Sequence, residues 1–172
     1  RPRGERRPMD VPEQPLRARN FVLRHWDPDD ADWYVSARDE EVYRWTTEPR
    51  ELAVETLRAV IERNRREPAW VGLAITDAVT GEIIGNIALR PESDAGESAE
   101  VTYWLAPQGR GRGAATESVR ALCAWAFTST PVVTITLRTD PDNHASQAVA
   151  QRAGFTLQGR DGDRYLFELR RA

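Results

Sequence analysis

Apolar residues recur along the chain in two periods, and the switches between them lay out the elements. Over 21–26, FVLRHW, Phe21, Leu23 and His25 alternate with Val22, Arg24 and Trp26, the two-residue period of a strand. The stretch DPDDADWYVSARDEE opens on acidic cap residues with Pro28 at an early position and reads as one helix start. ELAVETLRAVIERNRRE (51–67) carries apolar residues at 53, 57, 60 and 61, the period of an amphipathic helix. AWVGLAITDAVTGEIIGNIALRP reads as a hairpin, two apolar runs flanking DAVTG, where Gly81 can take a positive φ. SAEVTYWLAP is a further strand ended by Pro107, and 113–127 is a helix with Ala115, Val119, Leu122 and Ala126 on one face. PVVTITLRT is a β-branched strand, NHASQAVAQRAG a short helix stopped by Gly154, and FTLQGRDGDRYLFEL a hairpin turning at Asp161-Gly162.

Hairpins together with crossover helices imply one α/β (α+β) domain. Its expected architecture is a mixed, mostly antiparallel sheet of about six to seven strands with about four helices on its faces. Residues 1–15, rich in proline and arginine, are expected to be a disordered lead-in or foreign to the native chain, with one domain over 16–172. At 172 residues the chain suits a single domain with a sizeable core.

Composition narrows the chemistry. All 24 basic residues are arginine, which excludes a lysine base, a Schiff base and a Walker-type phosphate loop. A net charge of −3 argues against a nucleic-acid binder, although GRGRG (109–113) raises that possibility locally. No apolar run approaches the roughly 20 residues of a membrane span, so no membrane partner is expected. The one cysteine, Cys123, excludes an internal disulfide, fits a reducing cytoplasm and reads as a core residue on its helix. His25 and His144 lack metal-ligand spacing, and no metal is expected.

Most of the candidate chemistry gathers at LAPQGRGRGAATESVR (105–120), where three glycines and two arginines precede a helix. A helix N-terminus attracts phosphate through unpaired N–H groups, and glycine admits close backbone approach. The stretch reads as a diphosphate cradle to which Arg110 and Arg112 add charge. The dinucleotide fingerprint places its third glycine at Ala114 or Thr116, and its position late in the chain, after a hairpin, does not suit a first βα turn.

The remaining pattern, Gln108-x-x-Gly111-x-Gly113 between a strand ending YWLAP and an alanine-rich helix, resembles the acetyl-CoA loop of the GCN5-related N-acetyltransferase (GNAT) family. AEVTYWLAP, NHASQAVAQRAGF and FVLRHWDPDDADWY resemble the subgroup that acetylates ribosomal-protein N-termini (RimJ/RimL-like), and the resemblance covers about residues 16–170. It implies a sheet splayed in its middle and an acetyl-CoA-dependent transferase without metal. Leu105 and Ala106 would bond the pantetheine, and Gln108, Arg110, Gly111, Arg112, Gly113, Ala114 and Ala115 would form the pyrophosphate loop. Asn143 and Ser146 would lie near the thioester, although Asn143 also suits a plain helix cap.

The same resemblance makes Glu100 the candidate base, its alternative being a solvated edge carboxylate. The family's proton-donating tyrosine falls at Ala150, which leaves Ser146 as the replacement. Trp33, Tyr43, Trp45 and Trp104 are carried over as walls of the acceptor pocket. An α-amine is about a tenth neutral at pH 7 and a lysine-like amine only about once in 2,500, so an N-terminal acceptor asks less of a weak base. The implied acceptor is a protein N-terminal amine. A small amine such as an antibiotic, polyamine or amino sugar is the alternative, as is a non-catalytic acetyl-CoA sensor. A monomer or homodimer is expected.

Overall fold

The computed structural model describes residues 8–172, so the expectation of disorder for the first seven residues lies outside the described residues. The strands are β1 Leu16–Ala18, β2 Phe21–His25, β3 Val71–Asp77, β4 Ile83–Pro91, β5 Ser98–Leu105, β6 Thr134–Thr139, β7 Thr156–Asp161 and β8 Arg164–Arg170. The helices are α1 Ala31–Ala37, α2 Glu40–Trp45, α3 Val54–Arg66, α4 Ala114–Ser129 and α5 His144–Arg152. One mixed sheet runs in the order β1-β2-β3-β4-β5-β6-β8-β7. Its neighbours are antiparallel except β5 and β6, which run parallel.

The mixed, mostly antiparallel architecture is the expected one, with one strand and one helix more. The extra strand is β1, three residues long and too short to show an alternation. It turns back onto β2 through Arg19, whose φ is +55°. The extra helix arises because the segment read as one helix breaks at Arg38, whose backbone is extended, and restarts when Asp39 accepts from the Val42 amide. Arg38 is held there by its guanidinium, which donates to the Pro49 carbonyl at 2.6 Å. Residues 8–15 form no strand or helix, yet the Met9 amide donates to the Pro68 carbonyl at 2.8 Å and His25 Nε2 lies 2.7 Å from the Pro12 carbonyl.

Strand alternation divides the apolar residues between two faces. Leu23, Leu73, Ile75, Ile87, Leu89, Val101, Ile135 and Leu137 pack with Val119, Leu122 and Ala126 of α4 and Val149 of α5. The opposite face carries Trp26 and Ala74 against Leu57 and Ile61 of α3, and Trp104 beside Val42 of α2.

The sheet opens in its middle. β5 and β6 pair only over Ser98–Glu100 and Thr134–Thr136, after which each strand runs on without the other. Parallel strands that separate leave one edge of backbone groups facing a gap, and the glycine-rich loop sits at its mouth.

Candidate active site

Each glycine of the loop has its own reason. A Cβ on Gly109 would lie 2.7 Å from the Ile84 carbonyl oxygen, so this position is fixed by packing against β4. Gly111 and Gly113 have φ of +74° and +77°, and added Cβ atoms there would meet open space. These two shape the turn by left-handed backbone and leave room in front of it. Gly113 is the N-cap of α4 and supplies no side-chain cap. The first-turn amides of Ala114, Ala115 and Thr116 therefore have no acceptor within the helix, at its positive end. A diphosphate fits such a cradle.

The two arginines are engaged elsewhere. Arg110 donates to both carboxylate oxygens of Asp39 at 2.8 Å and to the Leu105 carbonyl at 2.9 Å, and pairs with Glu41 at 2.7 Å. That guanidinium holds the Asp39 carboxyl down at about 2. Arg112 binds Asp77 and stacks over Phe21. The cradle of the free protein is therefore a backbone cradle, with Arg110 acting as a strut to α2. Gln108 is exposed on the short 3-10 turn Pro107–Gly109.

At the gap, the Ala106 amide donates to the Ile84 carbonyl at 2.9 Å. Alternation in an antiparallel ladder then turns the main-chain groups of Val101, Tyr103 and Leu105 toward the open side. Of the two residues expected to bond pantetheine, Leu105 retains its amide on that side, whereas the Ala106 amide is occupied by β4.

Across the gap the Tyr103 hydroxyl donates to Ser146 Oγ at 2.9 Å. Tyr103 is partly buried, and desolvation raises the pKa of its hydroxyl, so the hydroxyl stays protonated. Asn143 caps α5 by accepting from the Ser146 amide at 3.1 Å, which fixes the angle at which Ser146 enters the gap. Ala150 is fully buried. Tyr103 was not among the sequence candidates because its partner lies 43 residues away.

Glu100 lies on the opposite face. Arg138 donates to it at 2.6 Å and also binds Glu92 and Asp161, at 2.5 and 2.8 Å. Three carboxylates thus share one guanidinium at the base of the gap, and Glu100 is an ion-paired group rather than a freely solvated one. Cys123 is buried and its thiol is pushed up to about 12 by desolvation, which leaves it an inert core residue.

The four aromatic residues assigned to the acceptor wall are dispersed. Trp33 stacks on Trp104 with centroids 6.0 Å apart. Tyr43 lies between the guanidinium groups of Arg38 and Arg50, and Trp45 beneath that of Arg44. None of the four lines the cavity found on this face, a space of about 380 Å³ walled by Trp26, Tyr34, Leu57, Ile61 and Trp70. Its floor is Asn86, Ala88 and Arg90 of β4, in register with Trp104, Thr102 and Glu100 of β5. Glu48, unmarked in a loop that reads TTEPREL, also lines it. One Glu48 oxygen accepts from the Tyr34 hydroxyl and, at 2.8 Å, from the Trp104 indole.

Among the described residues no group of three or more His, Cys, Asp or Glu is placed to hold a metal ion. No helix among them is long and apolar enough to cross a membrane.

Comparison with known proteins agrees with this geometry. A protein of Bacillus subtilis (strain 168) provisionally named as the ribosomal N-acetyltransferase YdaF is 30% identical over 83 residues, 48% of this chain and 45% of that protein, so the match spans less than half its length. The structure of RimL, a ribosomal L7/L12 alpha-N-protein acetyltransferase in complex with coenzyme A, superposes with a TM-score of 0.79 over 91% of this chain and 98% of that one, at 19% identity. Spermidine N-acetyltransferase from Vibrio cholerae, in complex with CoA and spermine, gives 0.78 over 88% and 95% at 17% identity. At such identities the likeness shows the fold. Residues 20–156 match the family profile described as an acetyltransferase (GNAT) domain. That match takes in well over half of the chain and every element around the gap, and the protein belongs to the GNAT acetyltransferase family.

Proposed function

We propose that the protein transfers an acetyl group from acetyl-CoA to a primary amine, the first candidate acceptor being a protein N-terminal α-amine. The observation that carries this reading is the convergence of the uncapped α4 terminus, the unpaired edge of β5 and the Tyr103–Ser146 hydroxyl pair on one gap. RimL and the neighbouring ribosomal-protein enzymes support the α-amine, and the spermidine enzyme supports the small-amine alternative.

In this reading the amides from Gly111 to Ala115 hold the pyrophosphate, with Gln108 at the edge of the loop, and the open side of β5 holds the pantetheine through Leu105. Acetyl-CoA supplies a thioester carbonyl of high acyl-transfer potential. A backbone N–H on the open side of β5 near Leu105 polarises that carbonyl oxygen. The amine attacks carbon, the C–N bond forms, and the C–S bond breaks. Tyr103 donates to Ser146 Oγ, so the Ser146 proton is directed elsewhere and hydrogen-bonds the departing sulfur, which finally carries the proton the amine releases. Asn143 sets this angle as the α5 cap. Glu100, held by Arg138, orients water that removes the surplus proton, which an α-amine surrenders readily. The protein acts without metal as a cytoplasmic monomer or homodimer.

A thermal-shift titration tests the donor site. Acetyl-CoA at 100 times its dissociation constant should stabilise the protein by about 2.7 kcal/mol, NADH should not, and Gly113→Val should weaken the response. Release of thiol on mixing with acceptor amines tests the reaction. No shift, or an equal one with NADH, would overturn the donor site, and acetyl-CoA binding without thiol release for any amine would favour the sensor alternative.

A further inference from the structure

We infer that the cavity over β2–β4 is the acceptor site and that it selects an amine carrying one bulky apolar or aromatic group, held by Glu48. This rests on the acetyl-transfer reading and narrows its substrate class. The cavity lies on the sheet face that carries Glu100, one strand away from β5, because its floor residues Asn86, Ala88 and Arg90 stand opposite Trp104, Thr102 and Glu100. Trp104 links the two directly: its indole binds Glu48, and the next residue is Leu105 at the gap.

The walls set the shape of the acceptor. Trp26, Leu57, Ile61 and Trp70 offer apolar surface, which favours an aryl or branched aliphatic group over a hydroxymethyl or methyl one. Glu48 is the one carboxylate among the described lining residues. Its first oxygen is taken by Tyr34 and Trp104, and its second lies 3.6 Å from Arg38, too far for a hydrogen bond, so it keeps a place for an amine N–H. Arg38, fully buried, partly neutralises this carboxylate. Glu48 therefore holds an amine without stabilising the ammonium form as strongly as a lone carboxylate would, and only the neutral amine attacks a thioester.

The charges of the remaining lining reject polycations. Arg65, Arg90 and His25 share the cavity, Arg90 stacked on Trp70 at 4.5 Å and Arg65 set 3.6 Å from Asp27. A second or third ammonium of a polyamine or aminoglycoside would meet the Arg65 and Arg90 guanidinium groups rather than a carboxylate.

The chemistry has two sources, the first residue of a peptide and a free arylalkylamine, and one panel separates them. Thiol release from acetyl-CoA is measured with phenethylamine, with tetrapeptides differing only in a Phe or Ser first residue, and with spermidine. The Phe peptide or phenethylamine should exceed the Ser peptide and spermidine at least about tenfold in kcat/KM, the better of the two naming the source. Glu48→Gln should raise KM for the amine severalfold and leave acetyl-CoA affinity unchanged, and Ala88→Phe should abolish the apolar preference. Spermidine or the Ser peptide as best acceptor overturns the inference, and the wild-type panel decides this even if a variant fails to fold.

Tryptophan fluorescence supplies a readout independent of transfer, since Trp26 and Trp70 line the cavity. Acetyl-CoA binding with no saturable response to either phenethylamine or the Phe peptide overturns the acceptor site alone. A saturable response with no thiol release from any amine overturns the acetyl-transfer reading, and the acceptor role with it.

Discussion

At the scale of single residues, the site depends on hydroxyls and carboxylates whose partners fix what they can do. In the proposed mechanism Tyr103 acts through Ser146 as a positioning residue. Tyr103→Phe removes the donor, frees the Ser146 hydroxyl to turn, and should lower kcat by about 2- to 13-fold at the scale of one hydrogen bond. KM for acetyl-CoA should hold. The defect should shrink with an acetyl thioester of a more acidic thiol, which needs less help in leaving; a defect equal for both thioesters would make the contact merely structural.

Asp39 gives a pH prediction of definite sign. Its pKa is lowered from 3.8 to about 2 by Arg110, so its contribution to stability is present above its unfolded value and is lost as pH falls through about 4 to about 2. Asp39→Asn should flatten the thermal-midpoint profile in that window, modestly, because the pair is partly solvated. An unchanged slope would show that the Arg110 strut contributes nothing there.

At the scale of elements, the loop glycines separate by mechanism. Gly111→Ala and Gly113→Ala each place a side chain at positive φ in open space and should cost about 1–2 kcal/mol. Gly109→Ala adds a contact of 2.7 Å with the Ile84 carbonyl and should cost more, while affecting acetyl-CoA binding only through displacement of the loop. Chemical denaturation of the three variants gives the order directly. Leu122, fully buried between α4 and the sheet, should cost about 2–5 kcal/mol as Leu122→Ala.

Much at this scale was legible in the chain. The hairpin over Gly81, the α4 face of Ala115, Val119, Leu122 and Ala126, and the stop at Gly154 are written in local periods and turn chemistry. The break at Arg38 was not, because the bonds that impose it come from the Glu48–Pro49 segment rather than from neighbours on the helix.

At the scale of the whole molecule, the two faces of the sheet carry different features, the gap and α4 terminus on one side and the cavity over β2–β4 on the other. In the proposed reading one face and the gap serve the donor, and the other carries the cavity assigned to the acceptor. Trp104 and Glu100 belong to the strand common to both. A prediction belongs here: apolar-headed peptides should protect the α3–β3 cavity lining, and acetyl-CoA the loop at 110–116, from hydrogen exchange in separate segments. Protection of one common segment by both ligands would contradict the two-faced arrangement.

What the sequence determined by itself was local: most of the elements, the loop before α4 with its left-handed glycines, and the absence of a lysine or a tyrosine where related chemistry uses one. Those features depend on backbone propensity and periodicity over a few residues. Only the tertiary structure decided which groups meet. Tyr103 and Ser146 are 43 residues apart, Trp104 and Glu48 56, and Arg110 and Asp39 71. Such pairings are set by strand order, by the register of β4 against β5 and by the parting of β5 from β6. A one-residue slip would turn Glu100, Thr102 and Trp104 to the other face, and nothing in the neighbourhood of any one of them specifies that register.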